Sequence, residues 1–88
     1  MLAKRSLIEI IHEILQMDGK RKTHIMYATA LTYPQTTRYL EFLQERDLIT
    51  AHKDEKGGQV FAPTAKGHEL ALHIDTVMEI LGLGERDA

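Results

Sequence analysis

Residues 23–49, Thr-His-Ile-Met-Tyr-Ala-Thr-Ala-Leu-Thr-Tyr-Pro-Gln-Thr-Thr-Arg-Tyr-Leu-Glu-Phe-Leu-Gln-Glu-Arg-Asp-Leu-Ile, read as two helices joined by a tight turn. The first helix is short, takes Thr23 as its cap and should end near Ala30. Pro34 suits the first turn of the second helix, where the N–H that proline lacks would have no partner. We expect this second helix to span about residues 33–46. Two helices in this arrangement are typical of a helix-turn-helix.

The segment before this unit predicts a first helix over residues 5–17. Its apolar residues recur at helical spacing and share one face, namely Leu7, Ile8, Ile11, Ile14 and Leu15. Ser6, with Glu9 three residues later, matches a capping box, and Gly19 supplies a left-handed end to the helix. We expect residues 20–22 to form a short basic loop.

The same periodicity predicts which side chains of the two central helices face inward. They are Ile25, Met26, Ala30, Thr36, Leu40 and Leu43. Asp47 should form a turn with positive φ, which Asp tolerates better than most residues. Residues 48–53 and 59–62 then read as two strands, with Gly57 and Gly58 in the loop between them. This hairpin is the expected wing of a winged helix.

The last helix, which Thr64 caps, carries an apolar seam at spacings of four, three and four residues, the period of a coiled coil. With Met78, which widens the seam, the predicted dimer interface consists of Leu70, Ile74, Val77, Met78 and Leu81. Alternatively, this stripe covers the domain's own core. A chain of this length buries only roughly 60–65% of its unfolded surface, so pairing two chains would bury more.

In a helix-turn-helix, the N-terminal residues of the second helix reach base edges in the DNA major groove. Arg38 can bind guanine bidentately, Gln35 can bind adenine, and Thr37 can contact a phosphate or a thymine methyl group. Cations near the first central helix and on the wing suit the DNA backbone. The candidate DNA-binding residues are Lys20, Arg21, Lys22, Thr23, Gln35, Thr37, Arg38, Tyr39, Lys53 and Lys56. The alternative is an ordinary solvated surface.

The predicted fold class is therefore α+β and mostly helical. It is a winged helix-turn-helix with three helices, a two-stranded β-wing and a C-terminal dimerisation helix. We divide the chain into a DNA-binding domain over residues 1–63, the dimerisation helix over residues 64–82 and a disordered tail over residues 83–88.

The charge balance limits how DNA could be bound. The formal net charge is −2, whereas neutralisation of phosphates supplies much of the affinity of DNA-binding proteins. Residues 1–50 carry seven Lys/Arg and six Asp/Glu, and residues 51–88 carry four and seven. The acidic excess lies mainly outside the proposed reading helix, so a few named contacts must carry the binding.

Composition argues against other classes of function. The chain has no cysteine, which excludes disulfides and thiolate metal sites, and its five histidines are scattered. Ser6 is the only serine, and no motif for a nucleophile or a phosphate-cradling loop points to catalysis. We expect no enzyme activity, no metal, no cofactor and no small-molecule ligand. No apolar run approaches the ~20 residues that cross a membrane, so we expect a cytoplasmic, nucleoid-associated protein without membrane contact.

Several stretches of the chain also resemble a known family. They are residues 7–11, 14–15, 22–27, 31–33, 38–40, 48–49 and 64–67, of which Lys22-Thr23-His24-Ile25-Met26-Tyr27 is the most specific. The chain resembles archaeal winged-helix regulators and small archaeal chromatin-associated proteins that dimerise through a C-terminal antiparallel coiled coil. Those chromatin proteins are basic and have a much longer C-terminal helix. This chain is slightly acidic and its last helix is shorter. These two departures favour a sequence-specific regulator, or a viral or plasmid-encoded one, over genome-wide packaging.

These observations predict a double-stranded-DNA-binding transcriptional regulator that acts as a homodimer, with the helix at about residues 33–46 in the major groove. The acidic balance favours an alternative, a winged-helix protein–protein interaction module of a transcription or chromatin complex. A third possibility, a small-molecule sensor, would need a pocket between the last helix and the rest of the domain.

Overall fold

The computed structural model describes residues 6–82, and the predicted disordered tail over residues 83–88 lies outside them. The described elements follow in the order α1 Leu7–Leu15, β1 Lys20–Arg21, α2 Lys22–Thr29, α3 Tyr33–Glu45, β2 Ile49–Lys53, β3 Gln59–Pro63 and α4 Ala65–Leu81. The predicted fold class is confirmed, because the domain is a mostly helical α+β winged helix-turn-helix. Among these elements, no helix combines the length and the apolar character needed to span a membrane.

Helix α1 begins with the predicted capping box. The Ser6 N–H donates to Glu9 Oε1 at 2.8 Å, and the Glu9 N–H donates to Ser6 Oγ at 3.2 Å. The predicted inward face is wrong at its start, because Leu7 and Ile8 are exposed and Ile10 is buried instead. The first turn of α1 lies at the edge of the packed region, so its apolar side chains remain in contact with solvent.

The sheet has three strands in the order β1-β3-β2, where two strands were predicted. Strands β2 and β3 form the predicted antiparallel wing, with Lys53 opposite Gln59 next to the loop. Lys20-Arg21, predicted as a loop, forms β1 and pairs with Val60-Phe61 of β3. A strand of two residues has no alternation of its own, and its partner lies far along the chain, so no local pattern could reveal it.

Helix α2 ends near Ala30 as predicted but differs from its prediction in its N-cap and in the direction of Ala30. Arg21, and not Thr23, occupies the N-cap position, and it makes no side-chain capping hydrogen bond. Ala30, predicted to face inward, is exposed, because it ends the helix in the left-handed conformation with φ of 58°. Thr29 is buried in its place, and its hydroxyl donates to the Ile25 carbonyl at 2.7 Å, so this buried polar group is satisfied.

Helix α3 follows its prediction closely. Thr32 caps it in a capping box with Gln35, and Pro34 lies in the first turn. The buried inner face consists of Thr36, Leu40 and Leu43. Asp47, which follows the helix, has the predicted positive φ, at 61°. The turn brings the chain directly into β2.

Helix α4 packs on the domain at a glycine. The predicted cap Thr64 accepts a hydrogen bond from the Gly67 N–H at 3.0 Å. Gly67 is buried so close to the chain between α3 and β2 that a Cβ there would collide with the Leu48 carbonyl oxygen. A glycine permits this approach because it has no side chain.

The apolar stripe of α4 is divided between core and surface. The hydrophobic core consists of Ile10, Ile11, Ile14, Leu15, Ile25, Leu40, Leu43, Leu48, Ile49, Phe61, Ala71 and Ile74. Of the predicted dimer interface, Ile74 therefore lies in the chain's own core, and Leu70 and Met78 pack against it. Val77 and Leu81 are 51% and 64% exposed. The alternative that the stripe covers the chain's own core thus holds for Ile74, Leu70 and Met78, whereas Val77 and Leu81 face solvent.

Candidate nucleic-acid interface

The solvent-facing side of α3 presents Arg38 at its centre. Thr36 and Leu40, two positions before and after it, are both buried, so Arg38 lies on the opposite side of the helix. Arg38 is exposed, and its guanidinium makes no hydrogen bond or ion pair with any residue that the structure describes. All five N–H donors of this side chain are therefore available to a partner.

The other predicted base-contacting residues of α3 have intramolecular roles. Gln35 Oε1 accepts a hydrogen bond from the Thr32 N–H at 3.0 Å, so the capping box fixes this side chain and leaves its Nε2 to a partner. The Thr37 hydroxyl donates to the Tyr33 carbonyl at 3.1 Å. Tyr39 is partly buried against the core, to the side of the face that carries Arg38. Gln35 and Arg38 thus lie one helical turn apart on α3, whereas the Thr37 hydroxyl is bonded to the helix backbone and Tyr39 packs against the core.

A cation–π contact that the sequence analysis missed joins the beginnings of α2 and α3. The Lys22 ammonium lies 4.2 Å from the centroid of the Tyr33 ring, which is 55% exposed. This attraction holds Lys22 beside the N-terminus of α3. Thr23, the next candidate residue, is exposed in the first turn of α2. The two partners of the contact belong to different helices, so spacing along the chain gave no signal of it.

Arg21 is held by the loop of the wing. Its Nη2 donates to Asp54 Oδ2 at 2.7 Å, and its guanidinium lies directly over Gly58. Asp54 also accepts hydrogen bonds from the Lys56 and Gly58 N–H groups, at 2.9 and 2.8 Å. The pKa of the Asp54 carboxyl lies below its ordinary value. The largest cause is the hydrogen bond from Arg21, and the next is the one from the Gly58 N–H. Arg21 therefore neutralises an acidic side chain of the wing.

Three further candidate lysines are exposed around the sheet. Lys20 lies on β1, Lys53 ends β2, and Lys56 lies in the wing loop. Their ammonium groups have no acidic partner among residues 6–82. The pairing of Arg21 with Asp54 leaves the net charge of this surface unchanged, so these three lysines are its available cations.

The described part of the chain also bears on a metal site and on a pocket beside the last helix. Residues 6–82 contain no group of three His, Asp or Glu side chains placed to hold a metal ion. A shallow pocket of ≈ 260 Å³ between α1 and α4 is lined by Leu15, Gln16, His68, Ala71, Leu72 and Asp75. This volume is below the ≈ 300–1,000 Å³ of typical small-molecule sites.

Comparison of the sequence with known families identifies one match over most of the chain. A family model described as winged helix-turn-helix matches residues 4–82. An uncharacterised protein of Methanocaldococcus jannaschii is 33% identical over 81 residues, a region that covers 89% of this chain and 78% of that protein. The chain is thus similar to an archaeal protein over most of both lengths.

Comparison with solved structures shows the same fold in DNA-binding proteins. Sso10a-2, a DNA-binding protein from Sulfolobus solfataricus, superposes with a TM-score of 0.77 at 22% identity, over 89% of this chain and 83% of that one. The Staphylococcus aureus MepR–DNA complex gives a TM-score of 0.71 at 21% identity, over 84% of this chain and 58% of the MepR chain. At these identities the likeness concerns the fold, and this chain spans little more than half of MepR.

Proposed function

Because the chain belongs to the winged helix-turn-helix family, we propose that it is a transcriptional regulator that binds double-stranded DNA as a homodimer. The observation that carries the proposal is Arg38, whose guanidinium is exposed at the centre of the outward face of α3 and has no partner among residues 6–82. In this proposal α3 enters the major groove, and Arg38 binds a guanine through two donors. Gln35 and Thr37 lie on either side of Arg38, in the N-terminal part of α3 that would enter the groove.

Contacts to the DNA backbone would come from both sides of α3. Lys22 stands beside the start of α3, and the first N–H groups of α2 have no side-chain cap, an arrangement that suits a phosphate. Lys53 and Lys56 on the wing, with Lys20 on the adjacent strand, supply further cations. Arg21 supports this surface indirectly, because it neutralises Asp54, which would otherwise repel phosphates.

The exposed apolar side of α4 supports the homodimer. Ile80 is 78% exposed, and with Val77 and Leu81 it forms an apolar strip at the end of the helix. Leu70, His73, Val77 and Ile80 follow one another at spacings of three, four and three, which is again a coiled-coil period. This proposed contact side differs from the predicted interface because it excludes Ile74, which is buried in the core of its own chain. A two-fold axis between paired α4 helices would place two α3 helices about one DNA turn apart, roughly 34 Å.

A protein–protein interaction module of a transcription complex is the second candidate, and the net charge of −2 favours it. Salt-dependent binding to a random duplex separates the two functions. A DNA-binding protein should lose affinity steeply with salt, with a log–log slope of roughly −0.9 per phosphate contacted. A chain that binds no duplex at ~50 mM salt would favour the interaction module.

A further inference from the structure

A second unpaired side chain lies on the outward face of α3, one helical turn after Arg38. Glu41 is exposed, and its carboxylate has no polar partner within the described residues, although Arg38 is only three positions away. Both side chains border one shallow hollow on this face. Nothing in the sequence distinguishes Glu41, because a lone glutamate on a helix is an ordinary surface residue.

The next acidic side chain along this face is different. Glu45 Oε1 lies 3.8 Å from Arg46 Nη1. Arg46 in turn lies over the Phe42 ring, 3.7 Å from its centroid, and donates to the Phe42 carbonyl at 3.1 Å. The polar side chains at the C-terminal end of α3 thus contact one another or Phe42. Arg38 and Glu41 make no such contact with any described residue.

A carboxylate beside the reading residue is unfavourable if α3 meets only phosphates, because like charges repel. It is favourable if the carboxylate faces a base that presents a hydrogen-bond donor. In the major groove, cytosine N4 is such a donor, and glutamate accepts from it, whereas arginine matches guanine. Arg38 and Glu41 are neighbours without partners in the described part of the chain, and together they match the two edges that G·C pairs present.

The spacing of the two residues suits neighbouring base pairs. Side chains at i and i+3 on a helix have Cβ atoms about 5–6 Å apart, and successive bases on one strand rise about 3.4 Å. Side chains as long as Arg and Glu can bridge that difference. We propose that Glu41 is a base-reading residue that accepts a hydrogen bond from the N4 amino group of a cytosine next to the guanine bound by Arg38. This inference rests on the proposed function and names the DNA sequence class that the site selects.

The test is selection of binding sites from a random duplex library by the full chain and two variants, Glu41→Gln and Glu45→Gln. Glutamine pairs with adenine in the major groove. For Glu41→Gln, we expect one cytosine position of the selected site to shift to adenine, with discrimination changed by roughly fivefold or more, the lower end for base contacts. The rest of the site should stay the same, and Glu45→Gln should select the wild-type site. Both substitutions are at exposed positions, so both variants should fold.

Two results overturn the inference and leave the proposed function standing. One is a Glu41→Gln variant that binds every duplex more tightly but keeps the cytosine preference, because Glu41 would then only repel phosphates. The other is the same change in site from both variants, which would show a general effect of charge. If the unmodified chain enriches no duplex and binds none at low salt, the proposed function fails, and the inference fails with it.

Discussion

Arg38 is the residue on which the proposed DNA contact depends most. Its position opposite Thr36 and Leu40 follows from the helical period alone, so its outward direction could be predicted from the sequence. What the sequence could not show is that no described residue pairs with its guanidinium. By contrast, Arg21 was an equal candidate for DNA contact in the sequence, but in the structure its guanidinium donates to Asp54.

Replacing Arg38 with alanine should weaken binding to the selected DNA site by roughly 1–3 kcal/mol and relax specificity at one position. Arg38→Lys should recover little specificity, because an ammonium cannot form the paired hydrogen bonds of a guanidinium. Fluorescence anisotropy with specific and random duplexes measures both effects. The control is Arg46→Ala, since Arg46 lies on Phe42. Unchanged specific binding by Arg38→Ala would remove Arg38 from the interface.

The contact between Arg21 and Asp54 should be lost in acid. The pKa of Asp54 is lower in the folded chain than in the unfolded chain, where it is about 3.9. The contact therefore stabilises the fold above that pH, and the stabilisation is lost as the pH falls through the lower, folded pKa. The amide of Gly58, which donates to Asp54, should report this change in an NMR titration with a midpoint below about 3.9.

Two variants check that assignment. Asp54→Asn should abolish the titration of the Gly58 amide, whereas Glu55→Gln in the same loop should preserve it. A midpoint at or above about 3.9 in the unmodified chain would contradict the lowered pKa.

At the scale of elements, the helices and the β2–β3 hairpin obey local rules, and strand β1 does not. The caps at Ser6 and Thr64 were predicted correctly, because each is a hydrogen bond between residues three apart. Strand β1 was missed, and its pairing with β3 has a consequence for the candidate site. It brings Arg21 to the wing loop, so the third strand determines which cations remain available.

The contact of Gly67 in α4 with the Leu48 carbonyl leaves no room for a side chain at position 67. Gly67→Ala would push a methyl group into the Leu48 carbonyl and should destabilise the fold by roughly 1–3 kcal/mol, as other overpacked sites do. Thermal unfolding measures the change. The neighbouring exposed position supplies the control, because His68→Ala should have an effect within about 0.5 kcal/mol. Equal stability of Gly67→Ala and the unmodified chain would show that α4 can shift freely at this point.

At the scale of the whole molecule, α4 serves two surfaces at once. Its inner side, through Ile74 and Ala71, completes the core of a small domain. Its outer side carries exposed Val77, Ile80 and Leu81. A single domain of this size has no further elements among the described residues to cover that strip, which is why the proposed homodimer uses it.

Lysine at both Val77 and Ile80 should separate the proposed dimer, because the charges would be buried between the two chains. Each chain should stay folded, because both positions are exposed in the single chain. Light scattering measures the mass, and circular dichroism the fold. Leu72→Lys is the matched control, since Leu72 is 66% exposed on another side of α4. Ile74→Lys should instead unfold the chain, because Ile74 is 5% exposed in the core. A monomeric unmodified chain at low micromolar concentration would overturn the dimer.

The sequence by itself determined the helices, the caps at Ser6 and Thr64, the hairpin and the outward direction of Arg38. These features depend on contacts between residues a few positions apart, so composition and period suffice to predict them. Only the tertiary structure decided the pairing of β1, the contacts Arg21–Asp54 and Lys22–Tyr33, and the burial of Ile74 beside exposed Val77. Those features depend on which distant segments meet. A period can show that a helix has an apolar stripe, but the neighbours of that stripe decide which of its residues the core covers.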